Sequence, residues 1–155
     1  ILELAIEKLY VNADTHGVSS SIYGVVKSIE EFAIKEDCYD FIMAVSSLEH
    51  VETEKDFINK LEKIKDGTRK KGIVCLVINS NVRECDKVTG KPMSAQFEVN
   101  LPIEEIQNIL YEIFEGWMVL KTTVTEQQYD IPREHGISEL KTSVVTFVAR
   151  NEGKE

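Results

Sequence analysis

No stretch of this sequence approaches the ~18 to 20 apolar residues a membrane-spanning helix requires. The longest apolar run, Ile73 to Ile78, is strand-sized, so no spanning segment is expected. Positive charge is scarce: 18 Lys and Arg stand against 27 Asp and Glu, for a net charge of −9. Binders of a phosphate backbone concentrate Lys and Arg. The one basic cluster, Arg69 to Lys71, reads as a solvated turn between a helix and a strand. Nucleic acid is therefore not an expected partner. Cysteine is equally sparse. Cys38, Cys75 and Cys85 show no CxxC spacing and cannot all pair. Free thiols, together with the lack of a signal peptide, point to a reducing, cytoplasmic setting. No HxxxH occurs and His16, His50 and His135 lie far apart, so no metal site is expected. The GxSxG of a nucleophile elbow is absent. No GxGxG occurs either, and the eight glycines are isolated from one another.

What is present suits a soluble globular chain: 43% apolar and 29% charged residues over 155 positions, enough for one domain with a real core. Leu2, Ala5, Ile6, Leu9 and Ala13 form the stripe of an amphipathic helix over Ile1 to Ala13. That helix should stop at His16-Gly17, where glycine accepts the left-handed cap conformation. Ser21 to Val26 reads as a short strand, and Ser28 as the cap of one helical turn over 28 to 32. Tyr39 to Ser46 reads as a strand whose Phe41 to Val45 are continuously apolar, which predicts cover on both faces. Thr53 caps a helix whose buried stripe is Phe57, Ile58, Leu61 and Ile64. A second buried strand runs from Gly72 to Ser80. Asn81 to Asn100 reads as a long polar loop, of a length often used for lids. Pro102 opens a helix lined by Ile103, Ile106, Ile109, Leu110 and Ile113, and Gly116 closes it. Two final strands, Trp117 to Tyr129 and Lys141 to Arg150, are joined by Asp130 to Leu140.

Alternating strands and helices demand parallel strands with crossovers, and the last two strands demand a hairpin. The expected fold is α/β: a Rossmann-like, mostly parallel sheet with helices on both faces and a C-terminal antiparallel hairpin. Ligands of such sheets bind beyond the carboxyl ends of the strands, here Val26 to Ile29, Val45 to His50 and Asn79 to Glu84. His50 is a titratable group suited to general-base work; the alternative is a histidine that simply faces water. Asn79, Ser80 and Asn81 could orient a substrate, or could be ordinary polar loop residues.

Three strings carry a family resemblance: YDFIMAVSSLEHV (39 to 51), KDGTRKKGIVCLVINS (65 to 80), and FEVNLPIEEIQNILYEIFEGWMVL (97 to 120) followed by VVTFVAR (144 to 150). In order and spacing they resemble the C-terminal half of class I, S-adenosylmethionine-dependent methyltransferases, and the tail resembles the tellurite-resistance, TehB-like branch. The resemblance implies a partial class I methyltransferase fold over 1–155. It also implies S-adenosylmethionine as cofactor of a longer parent, and a small-molecule acceptor. Ser28 and Ile29 match the turn that contacts adenine, although the family commonly has Asp there. Val45, Ser46 and Leu48 match the segment at the methionine end, and Arg133, Glu134 and His135 fall in a connection that borders the substrate pocket. The family's glycine-rich turn and the acidic residue that holds the ribose have no counterpart here. The chain opens with Ile rather than Met, which fits the C-terminal part of a longer domain. The missing strands leave a sheet edge at which a second copy could pair as a homodimer. The rival readings are a non-catalytic methyltransferase-like module acting in protein association, and another nucleotide-dependent α/β enzyme whose phosphate loop lies upstream.

Overall fold

A computed structural model describes residues 2–134 and 136–153. The chain divides into two compact units, Ile1–Ala33 and Ile34–Glu155. Ile1 and His135 lie outside the described residues.

In the first unit, α1 spans Leu2–Thr15. Its end is a Schellman motif: the Gly17 N–H reaches Asp14 O at 2.9 Å and the Val18 N–H reaches Ala13 O at 2.9 Å. Gly17 sits at φ +66°, a conformation that costs glycine little. The expected strand at Ser21 to Val26 does not form. Ser19–Ser21 is a turn of 3-10 helix, and 22–28 has no regular secondary structure. The β-branched and aromatic residues of SIYGVV (21 to 26) are a weak signal without a neighbouring strand. Here the Gly24 N–H is instead donated to the Tyr10 hydroxyl at 2.9 Å. The turn at 28 to 32 is present, with the Phe32 N–H bonded to Ser28 O at 3.1 Å.

In the second unit the chain runs through β1 (Tyr39–Val45), α2 (Glu54–Gly67), β2 (Thr68–Asp86), β3 (Pro92–Met93), α3 (Ile103–Ile113), β4 (Met118–Arg133) and β5 (Gly136–Arg150). The sheet order is β1-β2-β5-β4, with β3 pairing β2 off this path. β1 and β2 are parallel neighbours, from Phe41 opposite Ile73 to Val45 opposite Val77, joined by α2 as crossover. β5 lies antiparallel between β2 and β4. The parallel part of the expected sheet is thus the β1–β2 pair, and the hairpin supplies the rest.

α2 starts as the sequence predicts, the Thr53 hydroxyl accepting the Asp56 N–H at 3.2 Å. Phe57, Leu61 and Ile64 of α2 and Ile106 and Leu110 of α3 are buried together with Val74, Leu76, Ile78, Val145, Phe147 and Ala149 of the sheet. Each of the Val, Leu, Ile and Phe side chains among them contributes about 1.5 to 3 kcal/mol relative to exposure. Gly72 marks a close strand approach. A Cβ there would lie 2.9 Å from Arg69 O and 3.1 Å from Tyr39 O.

Three further expectations need correction. The loop at Asn81 to Asn100 is shorter, because β2 continues to Asp86 against Ser138 to Lys141 of β5. The connection at Asp130 to Leu140 is mostly strand, paired from Asp130 opposite Glu139 to Arg133 opposite Gly136. In both segments, long-range pairing overrides weak local strand preference. Lastly, β1 is not covered on both faces: Phe41, Met43 and Val45 are 54%, 62% and 49% exposed. Among the described residues, strand β1 pairs with a strand on one side alone, which leaves it at the edge of the sheet.

Candidate functional site at the carboxyl ends of β1 and β2

Because β1 and β2 are parallel, the carboxyl end of β1 lies beside Val77 of β2; the chain turns sharply after β1, whereas β2 carries an irregularity between Ser80 and Arg83 and runs on to Asp86. Ser46 and Asn81 adopt φ of +45° and +51°, a region non-glycine residues seldom occupy. Ser46 keeps its backbone tie to the sheet, donating its N–H to Val77 O at 2.9 Å. The chain then enters a 3-10 turn, Leu48–His50.

Glu49 is the residue that sequence reasoning missed. It is fully buried, and its Oε1 accepts the backbone N–H of Asn79 at 3.1 Å and the Asn79 side-chain amide. The Asn79 carbonyl oxygen in turn accepts from the Thr142 hydroxyl at 3.2 Å. This chain ties the turn after β1 to β2 and β5. The Oε2 of Glu49 has no hydrogen-bond partner, which is costly for a buried polar atom. The signal was available in the sequence: a Glu at the end of a buried strand is seldom buried unless it is used.

His50, by contrast, is exposed. Its Nδ1 lies 3.1 Å from Glu98 Oε2, and its ring stacks on Phe97 at 4.9 Å between centroids. The segment carrying Phe97 and Glu98 is latched to the strand ends. Val99 donates its N–H to Glu49 O at 3.0 Å, and the Asn100 side chain pairs both ways with the Val82 backbone at 2.8 and 2.9 Å. The Ser80 hydroxyl donates to Leu101 O at 2.8 Å.

The residues singled out in the sequence fare differently. Val45 and Ser46 face solvent beside the turn, whereas Leu48 is buried in the core. Asn79 is buried and its amide is committed at both ends. Asn81 is exposed where the β2–β5 register shifts, between Ser80 and Arg83. Arg133 is not directed to this site: its guanidinium holds Glu84 through two bonds of 2.7 and 2.8 Å. That pair lies some five residues further along β2 than Asn79, about 15 Å at strand rise. The Arg133 guanidinium holds the Glu84 carboxyl below its ordinary value of 4.5, with the Ser138 hydroxyl assisting and burial opposing. Ser28 and Ile29 belong to the first unit, where the Ser28 hydroxyl accepts the Glu31 N–H at 3.2 Å as a local cap.

A cleft of about 660 Å³ lined by residues including Asp37, Lys65, Asp66, Lys70, Glu115 and Trp117 lies at the opposite, amino end of β2, away from the strand ends where α/β sheets bind ligands. Among the described residues, no group of three or more His, Cys, Asp or Glu is placed to hold a metal, and no helix is long and apolar enough to cross a membrane.

TehB from Haemophilus influenzae superposes on 96% of this chain with a TM-score of 0.70 at 19% identity. The fold is that of the class I methyltransferases. A SAM-dependent methyltransferase from Methanosarcina mazei matches 83% of the chain with a TM-score of 0.54 at 12% identity. The [4+2]-cyclase SpnF matches 93% with a TM-score of 0.57 at 11% identity, so this methyltransferase-type fold also carries other chemistry. The chain spans 47% of the TehB chain, 66% of the Methanosarcina chain and 61% of SpnF. No protein-family model and no curated protein matches the sequence.

Proposed function

We propose that this chain forms the acceptor-side half of a methyltransferase that moves a methyl group from S-adenosylmethionine to a small molecule, in a parent of about twice its length. The observation that carries this reading is the parallel pair β1–β2 with the strained turn at Ser46 beside its carboxyl ends. The cofactor would bring an activated methyl group bonded to sulfur. The residues present fit one end of that molecule. Val45 and Ser46 are exposed beside the turn, while nothing in the chain matches the glycine-rich turn and the ribose-holding acid.

In this reading the chain's own residues align and shield. The Glu49–Asn79–Thr142 relay fixes the geometry of the strand ends, and the latched segment around Phe97 covers one side. Alignment and exclusion of water account for most of the rate gain in such reactions, so few reacting side chains are needed. Tellurite or another small, soft acceptor fits the TehB-like tail, and three free thiols suit a cytoplasmic setting. The test is transfer of labelled methyl from S-adenosylmethionine, measured with this chain and with the longest reading frame that contains it. Turnover by the longer form supports the reading, and inactivity of the longer form toward a broad acceptor panel sinks it.

The open edge of β1 favours the second reading, an association module. Strand β1 carries one charge, Asp40, and no Pro or Lys, so it lacks the usual guards against edge pairing. Pairing of β1 with β1 of a second copy would make a homodimer. Sedimentation of the chain at micromolar concentration distinguishes a stable dimer from a monomer.

A further inference from the structure

We propose that Glu98 is a positioning residue that holds His50 as a proton acceptor, and that the acceptor substrate is therefore one that loses a proton on methylation: an amine N–H, a hydroxyl or a thiol. This rests on the methyl-transfer reading and, within it, favours a protic acceptor over tellurite.

Four observations converge on it. The Glu98 carboxylate can only accept, so the 3.1 Å contact makes Nδ1 the protonated nitrogen of the neutral ring and leaves the lone pair on Nε2. Nε2 has no protein partner among the described residues, and the His50 side chain is 42% exposed, so the lone pair is open to an incoming molecule. The Phe97 ring, inclined 29° to the imidazole, restrains rotation about the axis that the Glu98 contact leaves soft. The bonds from Val99 to Glu49 and from Asn100 to Val82 anchor the segment that delivers both residues. A histidine needed for solubility alone would need neither the stacked ring nor the carboxylate.

The role follows the usual logic of a base oriented by a third group. The acceptor heteroatom forms its bond to the methyl carbon, the carbon–sulfur pair stays on sulfur, and the acceptor's proton goes to His50 Nε2. The positive charge lost by the sulfonium reappears on the imidazolium, which Glu98 stabilises. An acceptor that is already an aprotic anion would have no use for this pair.

The test reads the tautomer directly in the chain labelled with ¹⁵N-histidine. His16, exposed at the end of α1, serves as the reference ring. We expect the Nδ1–H form of His50 to be enriched about two- to fivefold over that of His16, the range an exposed charged contact supports. Glu98→Gln should abolish most of that bias, and Glu98→Asp should retain part of it, with amide spectra confirming an unchanged fold. A His50 ring indistinguishable from His16, or a bias that survives Glu98→Gln, overturns the proposal. In the form that turns over, Glu98→Gln should lower kcat about tenfold for protic acceptors and leave KM unmoved; an equal loss in KM overturns it too. The tautomer reading needs no turnover, so absent methyl transfer with the bias intact removes the methyl-transfer reading and the acceptor class with it, and leaves the positioning of His50 by Glu98 standing.

Discussion

Phe147→Ala is expected to destabilise the second unit by about 3 to 5 kcal/mol, the cost of truncating a fully buried aromatic ring. Phe147 is 1% exposed. It meets Phe114 at 5.5 Å and Tyr111 at 5.9 Å between ring centroids, so it joins β5 to α3 and to the residue that follows it. On the neighbouring strand it lies opposite Leu76, which is also fully buried. Removing the ring therefore opens a cavity between three elements that cannot all collapse inward. For a chain of this size the loss amounts to a fall of about 10 °C in Tm, read by thermal unfolding. Phe147→Leu, which keeps most of the volume, should recover more than half of it. A fall of under 2 °C for the alanine variant would mean that α3 does not pack on β5 as described.

Arg133→Met should be the most damaging change at a surface-reaching position. Glu84 has no exposed side-chain area, and its carboxylate depends on Arg133 and the Ser138 hydroxyl. Removing one partner of a buried pair leaves an uncompensated charge, whereas removing both is often close to neutral. We expect a Tm loss of about 5 to 10 °C for Arg133→Met at pH 7, and a much smaller loss for the double variant Arg133→Met, Glu84→Met. The sign with pH follows from the lowered pKa of Glu84. Its contribution is full above the ordinary value of 4.5 and is lost as pH falls through the lower folded-state value. The penalty of Arg133→Met should therefore shrink below about pH 4.5 as Glu84 takes a proton in the variant. A penalty unchanged between pH 7 and pH 4 would contradict this assignment.

The helices and the central strands were legible because their signals are local. Thr53 and Asp56, Pro102, Gly17 and Gly116 punctuate the chain, and the 3.6-residue spacing of Phe57, Leu61 and Ile64 survives in the structure. The run from Tyr39 also gave a strand, but its apolar residues did not reveal that one face would be open. Asn81 to Asp86 and Asp130 to Arg133 were misread for the converse reason. Their residues have weak strand preference, and they pair because β5 lies between β2 and β4, a fact of topology that no local window holds. The site was half legible. His50 and Ser46 could be placed from the strand end, but Glu98 lies 48 residues from His50 with no motif to join them. Asn79 looked available, yet folding spends its amide on Glu49 and Thr142. Arg133 looked like a substrate ligand, yet Glu84 holds it.

The most direct measurement is a map of backbone amide shifts on adding S-adenosylmethionine to the longest reading frame that contains this chain. The account predicts that, within these residues, the largest changes fall at Val45 and Ser46 and at Asn79–Asn81 of β2, with small ones around Phe97. Changes centred on Asp37, Lys65 and Trp117 at the amino end of β2, or none at saturating ligand, would contradict it.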